Sequence, residues 1–85
     1  MAQHNLKTVQ PYFESLWLGE KNFECRKDDR GFKEGDLLVL EEYKPETKEY
    51  TNRKVCATIS YILRHFEGLT REYCIIALTN IENYE

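Results

Sequence analysis

The sequence predicts an α+β chain that is mainly β, with five to six strands curling into a small barrel and one short helix near the N-terminus. Three observations predict it. Val55, Ala57, Ile59, Tyr61 and Leu63 occupy every second position, with Thr58 and Ser60 between them, which is the period of a strand with one buried face. Leu37–Leu40 and the pair Ile75-Ile76 are apolar at consecutive positions, as in strands buried on both faces. Helical spacing occurs at Phe13, Leu16 and Trp17, between Pro11 and Gly19. A chain of 85 residues has room for one core, so residues 1–85 are expected to form a single domain.

Taken in order, His4–Val9 reads as a short first strand. Pro11 suits the first helical position, where its missing N–H costs nothing, and Gly19 suits a left-handed helix terminator. Lys21–Lys27 is the second strand. Asp28-Asp29-Arg30-Gly31 has turn chemistry, because Asp side chains bond nearby amides and Gly permits positive φ. Asp36–Tyr43 is a central third strand after Gly35, with Asp36 assigned to bonding loop amides at its start. Lys44–Lys48, which contains Pro45, is a hairpin tip, and the return strand runs from Tyr50 to Leu63. Phe66–Glu72 is a loop or a second helical turn. Tyr73–Ile81 is the last strand and a candidate sheet edge.

Composition narrows the function. Apolar residues make up 41% and eleven aromatics supply core area, so the chain is expected to fold. The start, Met1–Asn5, is polar, and no apolar run approaches the roughly 20 residues of a membrane span. A cytoplasmic location without a membrane partner is therefore expected. Cys25, Cys56 and Cys74 are widely spaced and read as small buried hydrophobes. His4 and His65 stand alone, so neither a metal nor a cofactor is expected. A net charge of −3 argues against broad, nonspecific coating of nucleic acid. Residues 26–33 nevertheless carry a local +2, against −2 for residues 41–49. A basic lip on an acidic body suits a small anionic or nucleotide-like ligand.

The run Gly19–Arg26 carries the candidate site. If Phe23–Arg26 is extended, Glu24 and Arg26 point one way while Phe23 and Cys25 point the other. Lys21, just after a flexible Gly, can swing to the side of Glu24. The expectation is a donor–acceptor–donor cluster in one hollow, with Phe23 and Cys25 anchoring an apolar floor behind it. Lys21 offers three donors to a phosphate or a base carbonyl. The planar fork of Arg26 suits phosphate or guanine. Glu24 accepts from an exocyclic amino group or orients the two cations. Lys27 and Arg30, on the following turn, would add backbone contacts. Tyr43, Tyr50, Tyr61 and Tyr73 are candidates for stacking a base. The same charges also fit a solvated surface with a local Glu24–Arg26 ion pair.

The chain resembles the ASCH branch of the PUA-like superfamily. The branch motif G-x-K-x-x-E-x-R is matched by Gly19, Lys21, Glu24 and Arg26. Pro11 and Phe13 before it, and Arg30 and Gly35-Asp36 after it, fit the same context. The resemblance extends to small stand-alone bacterial and phage members that begin His-x-Leu-Lys, here His4–Lys7. Those members also carry Glu-x-Arg-x-x-x-Arg, here Glu24–Arg30, and a Tyr-Thr-x-Arg turn, here Tyr50–Arg53. It implies a PUA-like β-barrel whose motif residues line a cleft for RNA or a modified nucleotide. Lys21, Glu24 and Arg26 would form its centre and Arg30 and Lys27 its rim, with His4 near the same end. Some relatives hydrolyse acetylated cytidine with the motif Lys, a Thr three residues later and a distant Glu. Glu24 stands at that Thr position, so the chain is expected to bind rather than to catalyse. Two other readings stay open: a small amidohydrolase acting on a modified nucleoside, and a protein-interaction module. The protein is expected to be a monomer or a weak homodimer.

Overall fold

In the computed structural model, which describes residues 1–85, the chain runs β1 (Gln3–Thr8), α1 (Tyr12–Trp17), β2 (Phe23–Lys27), β3 (Leu37–Lys44), β4 (Glu49–Leu63) and β5 (Tyr73–Tyr84). The strands form one curved five-stranded sheet, a half-barrel, in the order β1-β3-β4-β5-β2. β1 runs parallel to β3, and every other pair is antiparallel. The inner face packs into a core of 13 buried residues, to which the strands contribute Leu6, Leu38, Leu40, Val55, Ile59 and Ile76 among others. α1 closes one end of this face with Phe13 and Leu16, both essentially inaccessible, and Trp17 packs partly buried beside them. Gly19 ends the helix at φ 79, a conformation open to glycine at little steric expense.

β3 lies inside the sheet, as its run of apolar residues predicts, with Leu38 and Leu40 on the core side and Val39 buried on the other. β4 departs from strict alternation. Tyr61 was expected inside with Ile59, yet it is 55% exposed, and Ile62 is buried in its place. The cause is a bulge. Ile59 pairs with Leu78 and Tyr61 with Ala77, so Ser60 is an extra residue, and its hydroxyl donates to the Ala77 carbonyl at 3.2 Å. An extra residue reverses the facing of everything after it. A second irregularity lies opposite Ala57, where β5 supplies both Asn80 (φ 51) and Ile81.

Tyr73–Ile81 is not an edge. β5 lies between β4 and β2, because β2 returns to pair with it through Glu24–Ile76 and Arg26–Cys74. The edges are β1 and β2. The cysteines also differ from expectation: Cys74 is buried and Cys56 half-buried, but Cys25 is exposed on the outer side of edge strand β2. Phe66–Glu72 is an irregular loop with turns rather than a second helix. Tyr50–Arg53 is not a free turn but part of β4, kinked at Asn52 (φ 75).

That kink builds a buried polar centre. Thr51, Asn52 and Arg53 stand opposite the single residue Glu42 of β3, so side chains on both sides of Asn52 reach the same carboxylate. Glu42 accepts from Thr51 Oγ1 (2.6 Å), Arg53 Nε (2.9 Å) and Gln10 Nε2 (2.6 Å). The Arg53 guanidinium continues to Glu14 at 3.0 Å and lies 4.8 Å from the Trp17 ring centroid. Asp36 acts as expected at the start of β3. Its Oδ2 accepts from the Lys33 amide, and its Oδ1 accepts from the Ala2 amide.

These two carboxylates tie the stability of the fold to pH on the acid side. Arg53 chiefly holds Glu42 at about 2, down from 4.5, and the hydrogen bond with His4 chiefly holds Asp36 at about 2, down from 3.8. Between the ordinary and the depressed values, the unfolded chain binds more protons than the folded one. Their contribution is therefore complete above about pH 5 and is lost as pH falls from about 4.5 towards 2. Melting temperatures measured in steps of pH should be level near neutrality and drop in that acid window. A flat profile down to about pH 2 would contradict the assignment.

Candidate functional site

Strand order leaves β1 and β2 facing each other across the open side of the half-barrel. Local geometry then places the motif. After Gly19 the chain turns, and the amides of Glu20 and Lys21 both donate to the Ser15 carbonyl, at 2.9 and 3.0 Å. The Asn22 carbonyl accepts from the Leu78 amide, which fixes the entry into β2. Pairing with β5 turns Glu24 and Arg26 inward and Phe23, Cys25 and Lys27 outward.

The three motif heads meet as expected. Lys21 Nζ donates to Glu24 Oε1 at 2.6 Å, and Arg26 Nε donates to Oε2 at 2.9 Å. One carboxylate thus holds two cations, one on each oxygen. Glu24 is 4% exposed, and this double pairing is what allows a carboxylate to sit so deep. The apolar floor was misplaced. Phe23 is 45% exposed and Cys25 is exposed, because the inner face of this edge strand belongs to Glu24 and Arg26. The alternation is right, but its inside and outside are exchanged.

Arg26 also bridges the gap. Its Nη2 donates to the Lys7 carbonyl (2.6 Å) and to Thr8 Oγ1 (3.1 Å), both on β1. Arg30 does the same one step along, with Nη1 donating to the Asn5 carbonyl at 3.2 Å. The two arginines clip β2 and the loop after it to the unpaired edge of β1. Arg64 steadies that loop by donating to Asp28 Oδ2 at 2.6 Å and to the Phe32 carbonyl at 2.9 Å.

The resulting cleft has a volume near 970 Å³, at the upper end of the roughly 300–1,000 Å³ of small-molecule sites. Lys21, Glu24, Arg26, Lys27 and Arg30 all line it. His4 does not. It is buried behind Phe32, edge-on at 4.8 Å between ring centroids, with Nε2 bonded to Asp36 at 2.9 Å. His4 therefore supports the wall rather than facing a ligand.

Sequence reasoning missed Tyr12 and several other lining residues, and it gave Phe23 to the floor rather than the rim. Tyr12 and Phe23 flank the Lys21 ammonium, with ring centroids 5.8 and 5.2 Å away. Thr8, Asp29 and Phe32 also line the cleft. Tyr12 follows Pro11 and lies off the apolar helix face, a weak signal that could have singled it out. Of the four tyrosines that were candidates for stacking a base, Tyr73 lines the cleft. Tyr43 and Tyr50 pack edge-on elsewhere, with Lys7 over Tyr43, and Tyr61 lies outside the cleft.

Four cations (Lys21, Arg26, Lys27 and Arg30) and two anions (Glu24 and Asp29) line the cleft, a local excess of two positive charges on a chain of net −3, while the ammonium of Lys7 turns away to lie over Tyr43. Both Glu24 oxygens already accept, whereas Arg26 Nη1 has no partner within the chain. The site therefore presents donors, and it suits a ligand rich in acceptors. No three His, Cys, Asp or Glu side chains are grouped to hold a metal ion.

A family model described as a domain of unknown function (DUF3850) matches residues 3–78. The chain belongs to this family. The DUF3850 match runs from β1 into β5 and takes in every cleft residue named above. The chain is also similar to an uncharacterized 12.9 kDa protein in the GpA 3' region of Escherichia phage P2. The two are 39% identical over 57 residues, which is 67% of this chain and 50% of the phage protein. The DUF3850 chain thus spans about half the length of that relative. No helix is long and apolar enough to cross a membrane.

Proposed function

We propose that this protein is an ASCH domain of the PUA-like superfamily that binds RNA or a nucleotide at the cleft between β1 and β2. It acts in a bacterial or phage cytoplasm, as a monomer or a weak homodimer. The observation that carries this reading is the cationic cleft itself: an excess of two positive charges, with Lys21 and Arg26 held on one buried carboxylate, on an otherwise acidic protein. Steering by such a concave patch favours an anionic ligand, while the rest of the surface repels long polyanions. Glu24 acts as a positioning residue. It spreads Lys21 and Arg26 into a fixed pair of donors and is not itself read by the ligand. Glu24 in place of a hydroxyl nucleophile, with both oxygens engaged, supports binding over hydrolysis.

The test is the salt dependence of binding to short single-stranded RNA. About two to four phosphate contacts give a slope of log K against log salt between about −1.5 and −3. Lys21→Ala and Arg30→Ala should each weaken binding and make the slope shallower by about 0.7. A much steeper slope, or one that both variants leave unchanged, would place binding on another surface.

A further inference from the structure

The outer face of the sheet continues the cleft. On β2, β5 and β4, the residues Phe23, Ala77 and Tyr61 are register partners and form one row across three strands. Phe23 is 45% and Tyr61 55% exposed, and Ala77 between them is half-buried. Two strand spacings separate the aromatic residues, roughly 10 Å, with only a methyl group on the floor between. The next row is Cys25, Ile75 and Leu63, and the row after it pairs Lys27 with Tyr73, which is 40% exposed. An apolar, aromatic-rimmed face therefore lies open to solvent on a sheet whose other face holds the core and the cleft. Sheet faces in contact with water are normally polar, so a face of this kind calls for an occupant.

Continuity says which. Phe23, Lys27 and Tyr73 belong both to this face and to the cationic cleft. A ligand crossing the edge of β2 would put acceptors against Lys21, Arg26 and Arg30 and flat apolar groups on the rings outside. Single-stranded RNA has that division, with phosphates on one side and unstacked bases on the other. A duplex does not, because its bases are already stacked. Building on the cleft reading above, we infer that the outer face of β2, β5 and β4 is a stacking platform for unpaired bases. One base lies over Ala77 between Phe23 and Tyr61, and another lies on Tyr73, roughly 13 Å along the strand.

Tyr61 tests this apart from the cleft, because it lines none of it and is mostly exposed. Binding of a fluorescent single-stranded oligoadenylate of about ten nucleotides should weaken roughly 5- to 150-fold in Tyr61→Ala and far less in Tyr61→Phe. Melting temperature and affinity for adenosine monophosphate, which needs only the cleft, should stay as in the parent. Unchanged oligonucleotide affinity in Tyr61→Ala, with loss in Arg30→Ala, overturns the platform and leaves the cleft standing. Loss in Tyr61→Ala with none in Lys21→Ala or Arg30→Ala sinks the cleft reading instead. A dimer of the free protein that Tyr61→Ala dissociates would give the face to a second copy of the chain and overturn the proposal.

Discussion

Replacing Glu24 with Ala is expected to destabilise the fold by about 3 kcal/mol, the lower end of the range for breaking a buried ion pair. The lower end applies because Lys21 and Arg26 keep 18% and 24% of their side chains exposed and can recover some hydration. For a domain of this size, that corresponds to a fall in melting temperature of about 12–24 °C. Glu24→Gln is the sharper variant. It removes the negative charge and makes the cleft more positive while leaving the side-chain shape. If bulk charge alone attracted the ligand, affinity for RNA would rise. If Glu24 positions the donors, affinity falls, because Lys21 Nζ and Arg26 Nε no longer share a charged acceptor on each side. We expect the fall. Tighter binding by Glu24→Gln would remove the positioning role.

Glu42→Ala should be at least as damaging to stability, at about 3–5 kcal/mol, without touching the cleft. Glu42 is 5% exposed and receives three side-chain donors, so its loss strands Arg53, Gln10 and Thr51 together. Arg53 would keep its bond to Glu14 and its contacts with Phe13 and Trp17, which limits the loss. Urea denaturation of the variant should show a lower midpoint. A midpoint within error of the parent would mean that the centre is no support for the sheet. RNA affinity of whatever fraction remains folded should match the parent, which separates this variant from those at Glu24.

Much of the architecture was legible in the residues. The hairpin tip at Pro45, the helix between Pro11 and Gly19 and the interior position of β3 follow from local chemistry and short periods. So does the meeting of Lys21, Glu24 and Arg26, because all three lie within six residues and two of them share a strand face. Tyr61 was misread because nothing near Ser60 announces an inserted residue, and the bulge exists only relative to β5. Tyr73–Ile81 was misread as an edge because membership of an edge depends on where β2 docks. Tyr12, Thr8 and Phe32 were missed because they reach the cleft from separate elements.

By itself, then, the order of amino acids determined the kind of each element and which motif side chains lie on the same side of their strand, since both depend on neighbours a few bonds apart. Only the tertiary structure decided which side of β2 is interior, which strands bound the cleft and which aromatic residues rim it. Alternation along a strand is symmetric between its two faces. Pairing with β5 and the clasp of Arg26 and Arg30 on β1 break that symmetry, and those contacts join residues far apart in the chain.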